Sequence, residues 1–295
     1  MIRELTIISG KGGTGKTTIT AAFASLAENA ILADCDVDAA DLHLILRPEI
    51  KETTKFTGLQ LAVKNDSKCI NCGECLDHCR FDAITADGKY NVIKERCEGC
   101  GVCVYICPED ALELEDRDSG RAYISDTRFG PMAHAALHIG EEASGKLVTV
   151  VRNHAKKLAR EHNRKLILVD GPPGIGCPVI AAISGVTMVL IVTEPTVSGI
   201  HDMERIIDVA NHFNIHAVVC INKYDINIEN SQKIERYCQE HDVEVVAKLP
   251  YDNVTTKAMI EEKSVIEFSD GDFSKKMKEL WNSVYEQLLK ITENE

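Results

Sequence analysis

The chain has 295 residues, 44% of them hydrophobic and 27% charged, with a formal net charge of -13 at pH 7. This length accommodates one large α/β domain and a small module. The acidity excludes a generic nucleic-acid binder, which needs a concentrated basic face, and no run reaches the roughly 18–20 apolar residues of a membrane span.

The start, Glu4-Leu5-Thr6-Ile7-Ile8-Ser9, reads as a strand rather than a secretory leader, so the expectation is a cytoplasmic protein with no stable membrane association. The strand runs into a loop, Gly10-Lys11-Gly12-Gly13-Thr14-Gly15-Lys16-Thr17-Thr18, and then an Ala-rich helix over 17–28. This is G-x-x-x-x-G-K-[ST] in the strand–loop–helix setting that a phosphate loop requires. Its glycines let backbone N–H groups converge on phosphate oxygens, and the helix N-terminus adds favourable partial charge. Lys16 is expected to reach the β- and γ-phosphates, and the Thr17 hydroxyl to ligate Mg²⁺. A second strand, Ala30–Asp34, ends at the acidic pair Asp34 and Asp36.

The interval 64–117 breaks the pattern. It holds Cys69-x2-Cys72-x2-Cys75-x3-Cys79 and, about 28 residues on, Cys97-x2-Cys100-x2-Cys103-x3-Cys107-Pro108. The repeat marks an inserted unit, so the surrounding domain, 1–63 and 118–295, is discontinuous. The spacing is that of bacterial two-cluster ferredoxins, in which the fourth cysteine of each run ligates the other cluster. One [4Fe-4S] cluster is therefore expected on Cys69, Cys72, Cys75 and Cys107, and a second on Cys97, Cys100, Cys103 and Cys79. Structural zinc wants four ligands, commonly two separated C-x2-C pairs, and fits doubled triplets poorly. Arg80 stands where proline commonly follows the fourth cysteine; it either raises a cluster potential or is a surface residue. The interval carries 12 acidic against 7 basic side chains, which either steers a basic partner or is a solvated face.

Apolar runs at 165–170, 186–193, 216–222 and 243–249 alternate with helical stretches at 199–213 and 231–241. Alternation of this kind implies an α/β fold with a mostly parallel sheet covered on both faces, its ligands at the carboxyl ends of the strands. Residues 128–146 have no clear assignment. His134 and His138 there would share a face if helical, as a surface pair or a metal pair. The last stretch, 273–291, reads as an amphipathic helix; its acidic end, I-T-E-N-E, favours packing on the sheet over binding anionic lipid.

The loop K-G-G-x-G-K-T resembles the deviant phosphate loop of the MinD, ParA, Mrp and nitrogenase iron protein family. The resemblance implies a P-loop ATPase with the ferredoxin-like α+β module inserted, and an ATP-bound homodimer in which Lys11 reaches the nucleotide of the partner subunit. It implies that Asp36 positions the attacking water, that Asp41 lies in the following switch segment, that Asp170 of Asp170-Gly171-Pro172-Pro173-Gly174 holds Mg²⁺ through water, and that the Gly174 N–H senses the γ-phosphate. The same family places the base near Asn222-Lys223-Tyr224-Asp225 and Pro250-Tyr251-Asp252. N-K-x-D is also a guanine-reading sequence, so GTP stays open beside ATP, and Asn222 can equally be an ordinary loop amide. Cys177 lies near where the iron protein holds a bridging cluster, but the C-x-x-C of the Mrp carriers is missing; Cys35 and Cys220 read as buried small residues. Two functions are consistent with all this. One is an ATP-gated iron–sulfur protein serving a redox or metallocofactor-assembly partner. The other is a MinD- or ParA-like spatial switch with redox-sensing clusters.

Overall fold

The computed structural model describes residues 2–141 and 145–293. In chain order the first elements are β1 (Arg3–Ser9), α1 (Lys16–Leu26), β2 (Ala30–Asp34), α2 (Leu42–Leu46) and β3 (Glu49–Lys64). Then come α3 (Glu74–Asp77), β4 (Ile84–Ala86), β5 (Tyr90–Val92), α4 (Val102–Ile106), β6 (Leu112–Thr127) and β7 (Gly130–Leu137). The remainder is α5 (Gly145–Glu161), β8 (Leu166–Pro173), α6 (Cys177–Ile183), β9 (Met188–Thr193), α7 (Val197–His212), β10 (His216–Asn222), α8 (Ile228–Glu240), β11 (Glu244–Leu249), α9 (Val254–Ile260), α10 (Val265–Phe268) and α11 (Asp272–Glu293).

Among the described residues one sheet has the order β11-β10-β9-β1-β8-β2-β7-β6-β3, and β4 and β5 form an antiparallel pair. The pairings from β11 through to β7 are parallel. Contacts divide the chain into two units, 1–53 with 122–136 and 143–295, and 54–121 with 137–142. The second unit is wider than the 64–117 interval outlined by the cysteines, because β3 and β6 run on for 16 residues each and the division falls within them.

In the first unit, the central strands are buried on both faces, as parallel strands between helices must be. Alternate side chains feed two cores. Leu5, Ile7, Leu190, Val192, Val218 and Cys220 join Phe23 of α1 and Met277, Leu280, Trp281 and Val284 of α11. Ile8, Val189, Ile191, Val219 and Ile221 join Val179, Met203, Ile207 and Ile234 of α6, α7 and α8. The expected C-terminal helix thus packs on the sheet, with the Trp281 and Phe23 ring centroids 5.0 Å apart. Of the acidic end that argued against lipid, residues 294 and 295 lie outside the described residues. Beneath this, a buried ion pair fixes the start of the sheet: Arg152 Nε and Nη2 donate to Glu4 at 2.7 and 2.8 Å, and Arg152 Nη1 donates to the carbonyls of Ala181 and Ser184 at the end of α6.

The unassigned stretch 128–146 supplies the strand β7, and its last two residues open α5. β7 pairs in parallel with β2, Leu32 opposite Met132, and residues 142–144 lie outside the described residues. The expectation that His134 and His138 share a helical face is therefore corrected. His134 is 8% exposed, stacks on Tyr123 and shares a 2.8 Å hydrogen bond with Ser125 Oγ. His138 lies beyond the strand, 3.4 Å from Asp118. Strand alternation alone would keep residues four apart on one face; the two part because β7 ends at Leu137, before His138.

Burial, aided by the charge of His43, lowers the His134 pKa from 6.5 to about 4. The unfolded chain therefore binds one more proton than the folded chain between those values, and stability falls as pH drops through that window. At about 1.4 kcal/mol per unit the loss from this residue is up to roughly 3 kcal/mol. Urea unfolding of the wild type and His134→Gln at pH 7 and pH 5 checks it: the decline is expected to be shallower in the variant.

Candidate functional site

The sheet register brings the site together. Asp170 on β8 lies beside Ile7 of β1 and Asp34 of β2, so three strands end at one place. There the loop 10–15 turns into α1. Gly15, at φ 94°, occupies the left-handed region, and a Cβ on it would overlap the Asn222 amide nitrogen. Gly10 meets the Asp202 side chain as closely. Glycine is thus required at these two positions, at Gly15 by both conformation and space.

Lys16 is almost wholly buried. Its Nζ lies 2.9 Å from Asp170 Oδ1 and 3.3 Å from Asp36 Oδ2. Thr17 Oγ1 donates to Asp170 Oδ2 at 2.8 Å, and Thr20 Oγ1, a participant not evident in the sequence pattern, lies 3.0 Å from Asp170 Oδ1. Burial opposes the Lys16 charge, but Asp170, Asp36 and Asp34 outweigh it and hold its pKa above the ordinary value. Burial also pushes the Asp36 carboxyl up, with Asp170 adding and Lys16 opposing. Asp34 is pushed up further, by burial and then by Asp170, against the pull of Lys16.

Around this group opens a cleft of about 260 Å³ lined by Gly12, Gly13, Thr14, Gly15, Lys16, Thr17, Thr18, Asp36 and Asp41. Thr14 Oγ1 and Asp34 Oδ2 are buried there without a hydrogen-bond partner. Hard carboxylate and hydroxyl oxygens beside a loop of glycine N–H groups suit a magnesium-bound polyphosphate.

Other expected residues have definite engagements. The Gly174 N–H, at φ 94°, donates to Ser9 O at 2.9 Å. Asn222 is turned toward the phosphate loop: its Nδ2 donates to Thr14 O at 2.7 Å and its Oδ1 accepts from the Lys223 N–H. Lys223 Nζ donates to Gly13 O at 2.9 Å. Asp225 Oδ1 accepts from the Tyr251 N–H at 2.7 Å, joining the loop after β10 to Pro250-Tyr251-Asp252 after β11. Lys11 Nζ folds back on its own chain, 2.5 Å from Glu194 Oε1 and 3.0 Å from Thr196 Oγ1. Glu194 went unnoticed in the sequence; its one signal is an acid at the carboxyl end of a buried strand.

The second unit gathers the eight clustered cysteines into two groups. Cys69, Cys72, Cys75 and Cys107 line one small pocket. Cys79, Cys97, Cys100 and Cys103 line another. In each, one thiol accepts from a backbone N–H: Ala111 to Cys107 Sγ at 3.2 Å and Ala62 to Cys97 Sγ at 3.4 Å. Burial, with Cys97 and Cys100 adding, pushes the Cys103 thiol up to about 11. Among the described residues no three His, Cys, Asp or Glu side chains are grouped as a metal ion would need. Arg80 is exposed. Cys35, Cys220 and Cys238 are buried, and Cys177 is exposed.

Residues 5–265 match the family described as the CobQ/CobB/MinD/ParA nucleotide binding domain. The chain belongs to this family. An uncharacterized protein of Methanocaldococcus jannaschii is 37% identical over 289 residues, covering 97% of this chain and 98% of its own length. The septum site-determining protein MinD of Bacillus subtilis is 24% identical over 214 residues, 70% of this chain and 59% of its own. Among solved structures, the MinD of Pyrococcus horikoshii complexed with Mg-ADP superposes with a TM-score of 0.56 at 19% identity, covering 96% of both chains. That structural likeness extends to the fold. Membership of the MinD/ParA family makes this chain a P-loop nucleotide-binding protein.

Gly15→Ala tests the loop. A left-handed alanine costs about 1–2 kcal/mol, and displacement of Asn222 adds to it, so nucleotide affinity should fall by about tenfold or more. Titration with a fluorescent nucleotide checks this, with circular dichroism confirming the fold.

Proposed function

We propose that this protein is an ATP-driven switch of the MinD/ParA kind whose second unit carries two [4Fe-4S] clusters. The convergence of Lys16, Thr17, Asp36 and Asp170 on one cleft carries the nucleotide half of this reading. On binding, Lys16 would exchange its carboxylate partners for the β- and γ-phosphates. The Thr17 hydroxyl would hold Mg²⁺ directly and Asp170 through water. The ion supplies neutralisation of phosphate charge. Asp36 would orient a water for attack on the γ-phosphate. A switch movement would free the Gly174 N–H from Ser9 O, and two copies would close on their nucleotides through Lys11.

Asp225 supports adenine over guanine. Reading guanine from N-K-x-D takes a carboxylate aimed at two purine N–H groups, and here one of its oxygens is held by the Tyr251 N–H. Exposed Tyr251 and its neighbours then form a wall for the base.

The two cavities lined by four cysteines each carry the cluster half. Apolar surroundings and N–H donors to sulfur are what tune such sites. Cys69, Cys72, Cys75 and Cys107 would hold one cluster and Cys79, Cys97, Cys100 and Cys103 the other; when bound they supply one-electron chemistry.

Family membership supports a switch that attaches to a surface or a protein according to its nucleotide more closely than it supports electron delivery. The cysteine cavities are the observation that favours the second output, a redox or cofactor-assembly partner.

With ATP and Mg²⁺ the protein should hydrolyse nucleotide and sediment as a dimer, and Lys16→Ala should lower turnover by about a hundredfold or more. Failure to retain nucleotide would reject the switch. Co-sedimentation with liposomes or DNA, with and without ATP, separates surface attachment from partner reduction; equal reduction rates with and without nucleotide would reject coupling to electron transfer.

Anaerobic reconstitution should give about eight iron atoms per chain, and about four in Cys72→Ser. Full zinc occupancy with no iron would reject the clusters.

A further inference from the structure

The side chain expected to act on a second subunit is already occupied. Lys11 Nζ is 2.5 Å from Glu194 Oε1, 3.0 Å from Thr196 Oγ1 and 3.3 Å from Ser198 Oγ. Thr196 is itself fixed, since its hydroxyl caps α7 by accepting from the Gly199 N–H. Glu194 is the centre of the arrangement. Its Oε2 lies 3.2 Å from Lys223 Nζ, which also donates to Gly13 O. One carboxylate thus ties the phosphate loop, the loop after β9 and the loop after β10. Its side chain is 15% exposed against 31% for Lys11, so the acid is the fixed partner and the lysine the one that can leave.

We propose that Glu194 is a positioning residue that holds Lys11 on its own chain until nucleotide binds, and so sets the protein concentration at which two copies close. This rests on the reading of a nucleotide-sandwich dimer, and adds to it the residue that restrains the dimer. The physical basis is competition between anions. One carboxylate opposes the triphosphate of the second copy for the same ammonium, and the triphosphate carries more charge. Departure of Lys11 leaves no stranded acid, because Lys223 remains on Glu194. The restraint is therefore a modest one, the size of a partly exposed ion pair.

Burial works to raise the Glu194 carboxyl, yet hydrogen bonds from Lys11 and Lys223 hold it below the ordinary range. The acid accordingly stays charged at neutral pH, and the restraint should weaken with salt, as partly exposed pairs do.

Two measurements test this in the full-length protein. The first needs no dimer: brief acetylation of the nucleotide-free protein with acetic anhydride, read by peptide mass spectrometry as the rate at Lys11 relative to exposed Lys257. Glu194→Gln should speed Lys11 several-fold and Glu194→Asp should lie between it and the wild type; equal rates overturn the restraint. The second is sedimentation velocity with Mg²⁺ and a non-hydrolysable ATP analogue. Glu194→Gln should dimerise at about threefold to fivefold lower protein concentration, the equivalent of one partly exposed ion pair, while nucleotide affinity of the dilute monomer stays near that of the wild type. Unchanged or weaker dimerisation, with nucleotide bound, overturns the gating even if labelling changes. Bound nucleotide with no dimer in any variant overturns the sandwich reading and the gating together.

Discussion

An ammonium group buried against three carboxylates organises this molecule. Removing Lys16 from water costs several kcal/mol, which only close opposite charge offsets, and Asp170 and Asp36 supply it within 3.3 Å. The carboxylates crowd one another in turn, which is why burial and Asp170 favour the protonated form of Asp34. Such a cluster cannot be assembled by local sequence. It requires β1, β2 and β8 to lie side by side with Asp34 opposite Asp170, and that register is guaranteed by two apolar cores fed from alternate faces of the same strands. The site is the place where the sheet spends the order its cores create.

The same electrostatics explains why the resting loop is so fully engaged. Lys16, Lys11 and Lys223 each rest on an acid of their own chain, Gly174 donates to the last carbonyl of β1, and Asn222 donates to a carbonyl of the first loop. At these lysines an anion entering the cleft would have to replace existing partners, while Thr14 Oγ1 and Asp34 Oδ2 lack one. Binding is therefore an exchange, and exchange lets a ligand shift a conformation, since it interacts differently with the two arrangements.

Much of this was legible in the chain, for identifiable reasons. Strand–loop–helix punctuation placed 10–17, because glycine, lysine and threonine there follow from phosphate chemistry alone. Alternating apolar runs placed β8, β9, β10 and β11 to within a few residues. The cysteine quartets were legible as a repeated spacing, and the fold gathers Cys107 with the first triplet and Cys79 with the second. The strand at 130–137 was not, since its histidines sat at a helical interval and its partner β2 lies about a hundred residues away in sequence. Glu194 and Thr20 were not, because nothing local distinguishes an acid or hydroxyl that matters only through a neighbour brought by the fold. The extent of the second unit was missed for a related reason: β3 and β6 carry no boundary signal where the contacts divide.

The cysteines also differ in accessibility, with a practical outcome. Cys35, Cys220 and Cys238 are buried, while Cys72, Cys100 and Cys177 are exposed. Outside the two quartets, Cys177 is the one exposed thiol among the described residues. It stands three positions past Gly174, on the segment that any rearrangement of the Ser9 contact must carry along. With Cys72 and Cys100 protected, a maleimide dye or nitroxide at Cys177 would place a reporter on that segment without an engineered handle.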